Sequence, residues 1–145
     1  MATQKEANEK LVKVLKKWQN LEDDSIKNTT QIIKQTENPL VHLVMEIIRQ
    51  DSVMHRRVQQ LIIDHFEKQS LTLDPDELAS FWTMVEEHDE LEKETIRLAK
   101  EALEGTKSAF AHYLLNYLMK DEQKHDELLE NMDKLKKNMY PYGGM

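Results

Sequence analysis

Two sets of metal-ligand residue types recur along this chain at one fixed offset. His42, Asp51 and His55 return 70 residues later as His112, Asp121 and His125. Leu21, Glu22 and Ile26 return at the same offset as Leu91, Glu92 and Ile96. Imidazole and carboxylate side chains together suit divalent transition metals. Asp51 and His55, like Asp121 and His125, are four residues apart, so on a helix each pair shares a face. Glu122-Gln-Lys-His125 adds a second carboxylate one helical turn before His125. His88 and Glu92 share a face in the same way.

These residues sit inside apolar stripes. On the first predicted helix the series Leu11, Leu15, Trp18, Glu22, Ser25 and Thr29 puts Glu22 where a core residue belongs. Glu92 does the same after Phe81, Val85 and His88. The series Val44, Ile47, Asp51, His55, Val58 and Ile62 turns Asp51 and His55 inward, and Leu114, Leu118, Asp121, His125, Leu128 and Met132 does so for Asp121 and His125. Glu122 is close to the interior. A carboxylate buried without compensation costs several kcal/mol. No Lys or Arg lies in these stripes, so a pair of divalent cations is the expected counter-charge. The bland readings stay open: a stripe rotated by one position makes Glu22 and Glu92 flank residues, and His55 and His125 can be hydrogen-bonded core histidines. Asp51 and Asp121 are either ligands or the outer partners that ligating histidines usually need. His42 and His112 are expected to be structural or outer-sphere, and His65 a boundary residue.

Four helices must position this cluster. The first is expected from Gln4 to about Gln35, the second from Pro39 to about Lys68 after an Asn38 cap, and the third from Pro75 to Gly105 after an Asp74 cap. The fourth runs from about Ser108 to about Asn138. Short connections join the first to the second and the third to the fourth. The expectation is therefore all-α: an antiparallel four-helix bundle of two similar hairpins, about 4–68 and 74–138, forming one domain over 1–138 with a non-helical tail at 139–145.

Composition agrees. Of 145 residues only 3 are Gly and 3 are Pro, while 32% are charged and 39% hydrophobic. The net charge of -7 argues against nucleic acid and against anionic membrane surfaces as partners. The absence of cysteine removes disulfides, thiolate zinc sites, Cys nucleophiles and iron–sulfur clusters together. No run of apolar residues approaches the roughly 20 needed to cross a bilayer, and the polar N-terminus has no signal-peptide core, so a cytoplasmic location is expected.

The stretch Asp121-Glu-Gln-Lys-His125-Asp-Glu-Leu-Leu129 resembles the fourth-helix motif of the ferritin-like and rubrerythrin-like superfamily, and Glu22 and Glu92 match its single Glu on helices one and three. The resemblance implies a di-iron carboxylate centre, with two iron ions (or Mn or Zn) held by Glu22, His55, Glu92, Glu122 and His125, joined by Asp51, Asp121 or His88. It also implies a ferroxidase- or peroxidase-like reaction with dioxygen or peroxide, and self-association as a homodimer. On the second helix the motif reads Asp51-Ser-Val-Met-His55, with Ser52 where the family has Glu. The cysteine-rich electron-donor module of some rubrerythrins is missing. Two alternatives remain. His88-x-x-x-Glu92 is similar to a hemerythrin fragment, implying an oxygen or metal carrier. The loss of Glu at Ser52 is what a structural bundle with a degenerate site would show.

Overall fold

The computed structural model describes residues 1–139. The described residues are all-α, with four helices among them: α1 (Gln4–Gln35), α2 (Pro39–Glu67), α3 (Pro75–Gly105) and α4 (Ala109–Met139). The end of the predicted C-terminal tail, 140–145, lies outside the described residues, and Met139 is the last residue of α4. The chain forms two compact units, the first ending at Leu71, and α1 packs on α2 as α3 packs on α4. Each unit is an antiparallel helix hairpin, here hairpin 1 and hairpin 2.

The helix ends lie where local chemistry puts them. Thr3 accepts from Glu6 N–H at the start of α1. Asn38 Oδ1 accepts from the Leu40 and Val41 amides, and Pro39 sits in the first turn, where no amide is missed. Asp74 caps α3 through the Asp76 and Glu77 amides. The two hairpin turns repeat each other. Asn38 N–H donates to Thr36 Oγ1 at 3.1 Å, and Ser108 N–H to Thr106 Oγ1 at 3.2 Å. His42 Nε2 donates to the Thr36 carbonyl, and His112 Nε2 to the Thr106 carbonyl at 2.6 Å. The 70-residue offset of the sequence is thus a structural repeat down to the turn.

The face each helix gives to its hairpin partner is unusually polar. In hairpin 1 the buried residues are Val12, Leu15, Gln19, Glu22 and Thr29 on α1, and Ser52, Gln59 and Ile63 on α2. Val12, Leu15 and Ile63 make a small apolar cluster toward the open end, with Ile62 against it. In hairpin 2 the buried residues on α3 are Leu78, Glu92 and Ala99. Of the apolar residues in the expected inward series, Leu11 and Trp18 on α1 and Phe81 on α3 are exposed instead, as are Val14, Leu21, Met84, Leu91 and Leu98. On α1 the buried face runs through Val12, Leu15, Gln19, Glu22 and Thr29 in place of Leu11 and Trp18, and Glu22 and Glu92 are buried as their place in the series predicts.

Candidate metal centre

In hairpin 2, α3 brings His88, Glu92 and Thr95 to face Asp121, Glu122 and His125 of α4. Glu92 is the pivot. Its side chain is only 9% exposed. Its Oε1 accepts from His88 Nε2 at 2.8 Å. Its Oε2 is buried without a hydrogen-bond partner, 3.4 Å from His125 Nδ1. Glu122 Oε2 lies 3.8 Å from the same Nδ1 and accepts from Thr95 Oγ1 at 2.9 Å. Donor atoms of Glu92, Glu122 and His125 all fall within 4.8 Å of one another, a span one cation can bridge.

The electrostatics are those of two carboxyl groups sharing one site. The Glu122 carboxyl beside it, helped by His88 and His125, holds Glu92 below the usual carboxylate range against the opposing effect of burial. Glu92 in turn pushes Glu122 upward, with desolvation adding to the rise. The two carboxyls thus move in opposite directions, Glu92 toward holding its charge and Glu122 toward holding a proton.

Hairpin 1 assembles the matching residues less completely. Glu22, with a side chain 11% exposed, has a buried Oε2 that lacks a hydrogen-bond partner and lies 3.4 Å from His55 Nδ1. Ser25 and Ser52 hydroxyls meet at 2.8 Å, where hairpin 2 has Thr95 and Glu122.

Each expected site residue thus has a definite place. Glu92, Glu122 and His125 come together. His88 is drawn onto Glu92 Oε1, which orients that carboxylate. Asp121 Oδ2 stands 3.5 Å from His125 Nε2, the ring nitrogen turned away from Glu92, and its Oδ1 pairs with Lys124 at 2.8 Å. That is the outer-partner position. Glu22 and His55 come together in hairpin 1, while Asp51 is half-buried on α2. His42 and His112 close the turns. His65 Nδ1 accepts from Leu71 N–H at 2.8 Å, a structural role.

Two features were not singled out from the sequence. Thr95 orients Glu122. Asp89, Asp126 and Glu130 form a second group within 4.8 Å of one another, one turn further from the hairpin turn. Asp89 pushes Asp126 up to about 6, with burial as the second cause. Asp89 and Glu130 also line a groove of about 410 Å³ beside Trp82 and Lys93. The only signal for this trio was spacing: Asp89 precedes Glu92 by three residues, and Glu122, Asp126 and Glu130 step by four along one face of α4.

No family model matches the sequence, and comparison with curated proteins and with solved structures finds no match. No helix among the described residues is long and apolar enough to cross a membrane.

Proposed function

We propose that this chain is a metal-binding carboxylate protein of the ferritin-like kind, which handles iron in a ferroxidase- or peroxidase-like reaction in the cytoplasm. The observation that carries the reading is Glu92: a buried carboxylate with one oxygen held by His88 and the other left without a hydrogen bond beside Glu122 and His125. A buried acceptor without a partner costs about 1–3 kcal/mol, and more when charged. A divalent cation at this point relieves that cost and satisfies Glu122 and His125 as well.

The donor set fits. Two carboxylates and one imidazole suit Fe²⁺, Mn²⁺ and Zn²⁺, and without thiolates the set has no particular preference for soft metals. Glu92, Glu122 and His125 would hold the ion. Asp121 steadies the imidazole from its other nitrogen, and Thr95 and His88 orient the two carboxylates. A bound ferrous ion would supply electrons to dioxygen or peroxide. A cation bound there would compete with a proton for Glu122, whose affinity for protons is raised by Glu92 and by burial. Self-association as a homodimer belongs to the same reading, supported by the exposed Met84, Leu91 and Leu98 at seven-residue spacing along α3; a monomer mass by light scattering would remove it.

Anaerobic titration with ferrous iron, followed by calorimetry, tests the metal reading. Binding is expected in the unaltered chain and is expected to be lost after Glu92→Gln or His125→Ala. A chain that takes up no metal, or variants that bind as well as the parent, would refute it.

A further inference from the structure

The two hairpins carry one polar motif with a single decisive difference. Glu22 stands where Glu92 stands 70 residues later, and His55 where His125 stands. The geometry agrees: each Glu Oε2 is buried without a hydrogen-bond partner, and each lies 3.4 Å from its histidine's Nδ1. Ser25 occupies the place of Thr95. In hairpin 2 that hydroxyl donates to the Glu122 carboxylate, whereas in hairpin 1 it meets only Ser52.

We propose that Ser52 limits the chain to one cation site of the Glu–Glu–His kind, the one in hairpin 2, and that Glu22 and His55 are two-thirds of a second such site which a carboxylate at position 52 completes. The inference rests on the metal-binding reading given above, and it departs from the two ions per chain that the ferritin-like resemblance implies. Charge is the main reason. Two carboxylates neutralise a divalent cation, while a carboxylate with a neutral hydroxyl leaves one positive charge in a partly desolvated place. The Ser52 hydroxyl is also already engaged, 5% exposed and hydrogen-bonded to Ser25.

The surroundings point the same way. The acidic group Asp89, Asp126 and Glu130 of hairpin 2 corresponds by the offset to Gln19, Arg56 and Gln60 in hairpin 1. Gln19 Nε2 there donates to Gln60 Oε1 at 3.0 Å and to the Arg56 carbonyl at 3.3 Å, and Arg56 pairs with Asp23 at 2.9 Å. Hairpin 1 thus has two neutral amides and a half-exposed arginine, paired with Asp23, where hairpin 2 has three carboxyls. Both changes disfavour a cation. The Glu22–His55 pair remains ready, because a side chain at 52 starts from the same register as Glu122.

The experiment is anaerobic calorimetric titration of the full chain with Mn²⁺ alone, run on the parent, His55→Ala, His125→Ala, Ser52→Glu, and Ser52→Glu combined with His125→Ala, with helicity checked by circular dichroism. The expected stoichiometries are one per chain for the parent and for His55→Ala, none for His125→Ala, two for Ser52→Glu, and one for the combined variant. A parent that binds two ions and loses one with His55→Ala overturns the inference while the metal reading stands. A folded Ser52→Glu chain that stays at one ion also overturns it. A parent that binds none removes the metal-binding reading itself. If Ser52→Glu loses its helical signal, the two histidine variants of the parent decide the matter.

Discussion

At the residue scale the centre turns on Glu92 and its unpartnered oxygen. Replacing it by Gln removes a buried charge but keeps the shape, so Glu92→Gln is expected to abolish metal uptake and leave the metal-free chain at least as stable in thermal melts. Loss of stability comparable to a core deletion would mean that Glu92 is structural. Acid–base behaviour gives a second check. Asp126 is raised to about 6 by Asp89, so its protonated form favours the fold. A group whose affinity for protons is raised on folding contributes stability below its unfolded pKa and loses it as pH rises through the folded value. The melting temperature of metal-free protein is therefore expected to fall from about pH 4 to about pH 6, and Asp126→Asn to flatten that slope. Metal affinity runs the opposite way, rising with pH as Glu122 surrenders its proton. Glu22, Glu92 and the Glu122–His125 pair were legible in the sequence because charged groups interrupted apolar series. Thr95 and the Asp89–Asp126–Glu130 group were not, because hydroxyl and acidic residues are ordinary on the solvated face of a charged helix.

At the scale of elements, the helix boundaries could be read nearly to the residue, since each is set by side chains next to it: Asn38-Pro39, Asp74-Pro75, and Gly105 before the Thr106 turn. Asn38→Ala and Asp74→Ala are each expected to cost about 1 kcal/mol in chemical denaturation, as loss of a helix cap does. Unchanged midpoints would show that water replaces these caps without loss. The face of each helix was harder to read. Hydrophobicity identifies an apolar stripe but not which neighbour covers it. Here Leu11, Val14, Trp18 and Leu21 stay exposed while Gln19, Glu22, Thr29, Ser52 and Gln59 are buried in the hairpin. The hairpin interface buries Gln19 and Gln59 beside Glu22, so polar side chains fill places that apolar neighbours leave exposed.

At the scale of the whole molecule, an acidic chain with a net charge of -7 draws cations toward its surface. Mn²⁺ at about a hundred times its dissociation constant is expected to stabilise the fold by about 2.7 kcal/mol in denaturant melts, an effect that EDTA reverses and that Glu122→Gln lacks. Stabilisation that survives Glu122→Gln would indicate diffuse screening instead of a site. The repeated turns have a consequence for kinetics as well. Thr36 with His42, and Thr106 with His112, fasten each hairpin within a loop of a few residues, before any long-range contact exists. Closing so short a loop forfeits little chain entropy, so each hairpin has a nucleus at its turn from which the helices can pair outward. His112→Ala should then slow the folding arm of a chevron more than it speeds the unfolding arm, and Glu92, Glu122 and His125 of hairpin 2 would meet only after that turn has closed.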